Sequence, residues 1–161
     1  MSFIAYIALG SNLNNPILQI QQAFTNLSEH PDIDIVKTSS LYRSEALTLN
    51  QEPQPDYINA VAKITTSLSA ENLLLALNKI ENKHGRERLQ KWDARTLDLD
   101  ILLYENIQIS TEVLTIPHPE ISKRNFVLIP LAEIAENLQI PIFGQLKNLL
   151  KTISYKGINK I

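Results

Sequence analysis

Apolar and polar positions along this chain follow two periods, and the period changes segment by segment. Phe3 to Leu9 is a continuous apolar run closed by Gly10-Ser11-Asn12, the pattern of a strand buried in the middle of a sheet. Asn15-Pro16 follows as a helix N-cap with proline at the first helical position. Ile20, Ala23, Phe24 and Leu27 then recur at helical spacing, predicting a first helix that ends near His30-Pro31. Asp34 to Tyr42 reads as a second strand. Arg43 to Asp56 contains Pro53 and Pro55 among polar residues and reads as a long mobile loop, a length that is uncommon unless the loop serves function. Tyr57 to Ile64 alternates, with Tyr57, Asn59 and Val61 on one face. Ser69 caps a second helix with Glu71 in its first turn, a buried stripe of Leu73, Leu74, Leu77 and Ile80, and Gly85 after His84 as its stop.

Beyond a charged connection from Arg86 to Ala94, alternation resumes. Leu97, Leu99 and Ile101 face one way and Asp98 and Asp100 the other. Short strands are predicted around Ile107-Gln108-Ile109 and Val113-Leu114-Thr115-Ile116, and helices over Phe126 to Glu136 and Gln145 to Ile153. The order strand, helix, strand, strand, helix, strand is the split βαβ pattern. The expected fold is therefore α+β, a ferredoxin-like βαββαβ sandwich with appended strands and helices. A doubly wound sheet would need a crossover helix between the second and third strands, and none is visible. The whole chain, 1–161, reads as one domain.

Composition narrows the function classes. A chain of 161 residues can bury a sizeable core, and its net charge of −2 argues against bulk electrostatic binding of nucleic acid. With no cysteine there is neither a disulfide framework nor a thiolate metal site. No basic leader precedes the first apolar run, and no segment is long and apolar enough to span a bilayer. A soluble, cytoplasmic protein is expected.

The chemistry gathers at Asp98 and Asp100. Two carboxylates at positions i and i+2 of a strand project side by side, roughly 6–7 Å apart at their Cβ atoms. They repel and raise each other's pKa unless a cation sits between them. Aspartate is depleted in strands, so a merely solvated edge is an uncomfortable explanation for two on one face. Arg86, Arg88 and Arg95 stand just upstream, and hard oxygen ligands beside guanidinium groups suit a magnesium–triphosphate complex. Neither common glycine-rich nucleotide fingerprint is present, and with only four glycines in the chain a backbone cradle for phosphates is not expected. Side chains must hold them instead: Arg86, Arg88, Lys91, Arg95, Lys123 and Arg124, with His118 in Pro117-His118-Pro119 either a loop histidine or a phosphate contact. Tyr57 beside Asn59 suits a flat heterocycle with a donor and acceptor edge, although cross-strand packing explains that pair at least as well. Trp92, in a polar loop, is a candidate lid anchor.

Together these segments resemble the 6-hydroxymethyl-7,8-dihydropterin pyrophosphokinase family of folate biosynthesis. The residues that carry the resemblance are Ala5-Tyr6-Ile7-Ala8-Leu9-Gly10-Ser11-Asn12-Leu13, Ser39-Ser40-Leu41-Tyr42-Arg43, Pro55-Asp56-Tyr57-Ile58-Asn59-Ala60, Arg95-Thr96-Leu97-Asp98-Leu99-Asp100-Ile101, Pro117-His118-Pro119 and Arg124-Asn125-Phe126-Val127-Leu128. The resemblance implies transfer of pyrophosphate from ATP, a co-substrate, to the pterin hydroxymethyl group, with release of AMP. It implies that Asp98 and Asp100 bind two Mg2+ ions and that Arg86 and Arg95 close in with their loop to stabilise phosphate charge. It places the pterin between Tyr57 and Phe126, read by Asn59, Ser44 and Leu47, with Trp92 at hand. It lines the ATP site with Leu74, Asn78, Glu81, Arg88, Lys91, Trp92, Arg95, Ile101, Thr115, His118, Pro119 and Arg124. Partners would be the two small-molecule substrates, with no nucleic acid and no membrane, and the protein a monomer.

The chain departs from the family pattern in four places. Asp93 replaces a glycine or alanine before Ala94-Arg95, and Lys91 replaces an arginine, giving a point charge for a bidentate fork. The Arg86–Arg95 loop is one residue short of a familiar form. Glu45-Ala46 replaces a proline pair, which should loosen the pterin loop. Two rival readings are a magnesium-dependent nucleotidyl or phosphoryl transferase with another acceptor, and a ferredoxin-like regulatory or RNA-binding module. The acidic balance and the missing base-stacking run argue against RNA.

Overall fold

The structure, a computed structural model, describes residues 1–45, 56–84 and 96–161. Its elements run β1 (Phe3–Ser11), α1 (Pro16–Glu29), β2 (Ile33–Thr38), β3 (Tyr42–Ser44), β4 (Tyr57–Thr66), α2 (Ala70–Lys83) and β5 (Asp98–Tyr104). There follow β6 (Ile109–Ser110), β7 (Thr115–Ile116), a 3-10 turn at Ile121–Lys123, α3 (Asn125–Ala135), β8 (Gln139–Ile140), β9 (Gly144–Gln145), α4 (Leu146–Leu150) and β10 (Ile158–Lys160). The main sheet is antiparallel in every pairing and ordered β10-β3-β4-β1-β5, with β2 also paired to β4.

β1 is apolar along its length because it is covered on both faces. Ala5, Ile7 and Leu9 point into a core shared with Ile20, Ala23 and Leu27 of α1 and Leu73 and Leu77 of α2. Tyr6 points into a second core with Val127, Leu128 and Leu131 of α3. Two helices thus cover one face of the sheet and α3 with α4 the other. One irregularity serves both cores. Tyr6 pairs with Leu103 and Ile7 with Ile101, so Leu102 is the extra residue of a bulge, and both Leu102 and Leu103 enter the second core. The Leu102 carbonyl accepts the backbone N–H of His118 at 3.0 Å, which ties the segment after β7 to the strand that carries the aspartates.

Several expectations need correction. Asn15 stands at the N-cap of α1, but its backbone is left-handed (φ 63°) and its side chain makes no capping bond, whereas Ser69 caps α2 as expected, its Oγ accepting the Asn72 N–H at 3.2 Å. The strand expected over Asp34 to Tyr42 is two strands. Ser39 Oγ accepts the Val61 N–H at 2.9 Å, taking the place of a ladder carbonyl, and the Ser40 N–H turns out of the sheet to the carboxylate of Glu133. Arg43 and Ser44, expected in a loop, belong to β3. Most of the expected mobile loop, the Gly85 stop and the charged connection lie outside the described residues. α4 ends at Leu150 rather than at Ile153, and the pairing of β10 with β3 had no counterpart in the sequence reading. Among the described residues, no helix is long and apolar enough to cross a membrane.

Candidate active site

Strand pairing sets out the site as rows across one face of the sheet. In the first row Asp98 stands opposite Gly10, Gly10 opposite Asn59, and Asn59 opposite Tyr42. In the next, Asp100 stands opposite Ala8 and Ala8 opposite Val61. Asp98 and Asp100 are both half-buried while Leu99 between them is buried, as period-2 alternation requires. Gly10 keeps the middle of the first row low. A methyl group there would lie 3.4 Å from Asn59 Oδ1 and 3.9 Å from Tyr57 Cδ1, so any larger side chain would cover the ground between the aspartates and the tyrosine–asparagine pair.

The buried Asn59 amide is oriented by a buried partner. Its Nδ2 donates to Ser44 Oγ at 2.7 Å, and Ser44 in turn stands opposite Tyr57. Phe126, second residue of α3, is half-buried at the edge of the second core, with the Arg124 guanidinium carbon 5.7 Å from its ring centroid, within cation–π range. α3 packs across β4 and β3, so Phe126 rides on the element that covers the strands of Tyr57 and Ser44.

On the other side of the aspartates lies a cavity of about 250 Å3 lined by Leu74, Asp100, Ile101, Thr111, Glu112, Val113, Leu114, Thr115, His118 and Pro119. It brings together Leu74, Ile101, Thr115, His118 and Pro119 from α2, β5, β7 and the segment after β7. Thr111, Glu112, Val113 and Leu114, between β6 and β7, were missed as site residues by sequence reasoning; Val113 and Leu114 were expected in a strand, but β7 begins only at Thr115. His118 has its pKa pushed down by burial and by the charge of Arg124, against the opposite pull of Glu120 and Asp98. Its Nδ1 accepts the Glu120 N–H at 3.1 Å, which puts the neutral ring's proton on Nε2 as a donor.

Glu81 and Asn78 do not line this cavity. Glu81 is 2% exposed, and its Oε2 accepts the Leu99 N–H at 2.8 Å. Asn78 is half-buried on α2. A larger open hollow of about 460 Å3, lined by Gln19, Gln22, Thr25, Asn26, Lys83 and His84, lies between α1 and α2, the helices that cover the opposite face of the sheet from the aspartate row. Of the remaining expected site residues, Leu47, Arg86, Arg88, Lys91, Trp92 and Arg95 lie outside the described residues, as do Ala46 and Asp93.

Among the described residues no cluster of three or more acidic, histidine or cysteine side chains is placed to hold a metal by itself. A pair of carboxylates on one strand face nevertheless fits magnesium, which keeps several waters and takes one or two carboxylates together with substrate phosphates.

The chain matches, over residues 6–136, the family described as 7,8-dihydro-6-hydroxymethylpterin-pyrophosphokinase (HPPK). It is 51% identical over 147 residues to the 2-amino-4-hydroxy-6-hydroxymethyldihydropteridine pyrophosphokinase of Haemophilus influenzae, covering 91% of each chain. To the protein of the same name from Synechocystis it is 44% identical over 141 residues, covering 88% of this chain and 71% of that one. Among solved structures, wild-type Plasmodium falciparum HPPK-DHPS with pteroate is similar with a TM-score of 0.75 at 14% identity. That match covers 94% of this chain but only 42% of that one, and at such identity it is a likeness of fold alone.

Proposed function

This chain belongs to the 7,8-dihydro-6-hydroxymethylpterin-pyrophosphokinase family, and we propose that it uses ATP as donor, with two Mg2+ ions held by Asp98 and Asp100. Its reaction is pyrophosphoryl transfer to hydroxymethyldihydropterin, a step of folate biosynthesis. With ATP as donor, a bond forms between the hydroxymethyl oxygen and the β-phosphorus. The bond from that phosphorus to the oxygen bridging it to the α-phosphorus breaks, the hydroxyl proton is lost and AMP leaves. The observation that carries the reading is the row Asp98–Gly10–Asn59, which puts a carboxylate pair and an oriented amide on one sheet face with open ground between them.

Asn59 offers the pterin edge its Oδ1, while Ser44 holds the other end of the amide. Tyr57 and Phe126 flank the ring in this reading, which also assigns Leu47 to the pterin. Leu74, Ile101, Thr115, His118 and Pro119 accommodate the nucleotide, with Nε2–H of His118 and the guanidinium of Arg124 directed to phosphate oxygens. The same reading assigns Asn78 and Glu81 of α2, and Arg88, Lys91 and Trp92 of the charged connection, to the nucleotide. Arg86 and Arg95 act mainly in the transition state, where charge spreads over the phosphate oxygens. Magnesium, when bound, neutralises phosphate charge and favours ionisation of the attacking hydroxyl.

The sheet order β5-β1-β4-β2, with α1 and α2 on one face, supports a ferredoxin-like sandwich as one pyrophosphokinase domain over 1–161. The working unit in this reading is a cytoplasmic monomer that binds neither nucleic acid nor membrane. The test is direct. With ATP, magnesium and 6-hydroxymethyl-7,8-dihydropterin the protein should release AMP in step with pterin consumption. AMP release that does not need the pterin would favour the transferase with another acceptor, and no turnover would favour the binding module.

A further inference from the structure

Glu133 of α3 receives an unusual number of hydrogen bonds for a surface carboxylate. Both of its oxygens accept the Ser40 N–H at 3.0 Å, Oε2 accepts the Ser40 hydroxyl at 2.9 Å, and Oε1 accepts the Tyr42 hydroxyl at 2.6 Å. Lys160 of β10 stands opposite Tyr42, and its charge also acts on Glu133. One side chain of α3 therefore holds the corner where the strand breaks between β2 and β3.

That corner leads to the acceptor site. Tyr42 and Ser44 are two apart on β3 and share a face, both buried. Ser44 Oγ takes the Nδ2 hydrogen of Asn59, so its position decides which end of that amide is turned toward Gly10. Glu133 also lies seven residues, close to two helical turns, after Phe126, on the same face of α3. The carboxylate thus ties the helix that carries one proposed wall of the pterin pocket to the strand that orients the group reading the pterin edge.

We infer that Glu133 is a positioning residue for the pterin acceptor, setting the spacing between Phe126 and the Ser44–Asn59 pair without touching substrate. This rests on the reading that the pterin is bound over Asn59. Loss of the carboxylate frees Ser40 and Tyr42 from α3, and the two walls lose their common anchor. The ATP wall hangs on β5, α2 and the segment after β7, none of which meets Glu133 in these hydrogen bonds, so donor binding is left as it was.

Steady-state kinetics with ATP and 6-hydroxymethyl-7,8-dihydropterin, and calorimetric titration with oxidised 6-hydroxymethylpterin beside a non-hydrolysable ATP analogue, test this on full-length wild type, Glu133→Ala, Glu133→Gln and Tyr42→Phe. Glu133→Ala should raise the acceptor KM by about tenfold, the equivalent of one good hydrogen bond, with ATP KM and kcat within about twofold of wild type. Glu133→Gln should recover part of the loss, since its amide oxygen still accepts from one partner. Tyr42→Phe, a milder change that keeps the packing, should move the acceptor KM in the same direction. A lower Tm in Glu133→Ala with unchanged acceptor affinity, or equal losses for acceptor and ATP analogue, would overturn the assignment. Wild-type protein that binds the ATP analogue but not the pterin would overturn the acceptor reading beneath it.

Discussion

Glu81 Oε2 accepts the Leu99 N–H at 2.8 Å, so a helix side chain does for β5 what a neighbouring strand would otherwise do. Leu99 lies between Asp98 and Asp100, and β5 is the last strand of the sheet order on that side. The bond therefore holds straight the two-residue span on which both carboxylates depend.

Glu81→Ala should cost about 1–3 kcal/mol, because the Leu99 N–H keeps its burial and loses its acceptor. Glu81→Gln, which retains an acceptor oxygen, should cost less. Urea denaturation of the three proteins measures the order. An alanine variant as stable as wild type would mean that water or another group serves Leu99 equally well.

Asp98→Ala and Asp100→Ala should each lower turnover by several orders of magnitude while leaving the far-UV circular dichroism and the denaturation midpoint almost unchanged. Both side chains are half-buried on β5, on the sheet face of the Gly10–Asn59 row. The rate should also lose its saturable dependence on magnesium. Near-normal activity in both variants would remove these residues from metal binding.

Gly10→Val tests the open ground between the two halves of the site. β1 tolerates β-branched residues, and glycine is not needed there for a left-handed backbone. A Cβ would already sit 3.4 Å from Asn59 Oδ1, so the two further methyl groups must occupy space proposed for the pterin. The acceptor KM should rise by at least about tenfold, a loss of ~1.4 kcal/mol or more, with ATP-analogue affinity held. An unchanged acceptor KM would put the pterin elsewhere.

The strands were legible where both faces or one face declared a period. β1, β4 and β5 stand out because apolar runs and alternation are the direct consequence of burial on two sides or one, and the same alternation singled out Asp98, Asp100, Tyr57 and Asn59. Ser69 and Pro16 marked helix starts for reasons local to the backbone. What was missed depends on distant partners. The break between β2 and β3 is made by Ser39 bonding to Val61 and Ser40 to Glu133, contacts that span 22 and 93 positions. Asn15 carries a good capping residue into a left-handed backbone, where its side chain makes no capping bond. The wall from Thr111 to Leu114 joins β6 to β7, and its place beside Asp100 comes from packing that no local pattern announces, whereas a signal existed for Glu81. It directly follows Ile80 on the buried stripe of α2, and a carboxylate there implies an internal donor.

His84 offers a test through pH. It caps the C-terminus of α2, and its ring lies between α1 and α2, with Nε2 2.8 Å from Asn26 Oδ1 and Nδ1 against Gln19 Oε1. Burial pushes its pKa below the ordinary histidine value. In the unfolded chain the ring titrates near its usual pKa of about 6.5, so below that pH the unfolded state binds a proton that the folded state refuses. Stability from this group is therefore complete above about pH 6.5, falls as pH drops toward the lowered folded value, and levels off beneath it. His84→Gln removes the titration, so the difference in unfolding free energy between wild type and variant, measured by urea denaturation from pH 8 to pH 5, should shrink or turn against wild type as the pH falls. The comparison cancels the carboxylates and the other lowered histidine, His118, which titrate in both proteins. A difference that instead grows in favour of wild type on acidification would show the opposite balance, with the two amide oxygens outweighing burial and holding His84 as a cation between the helices.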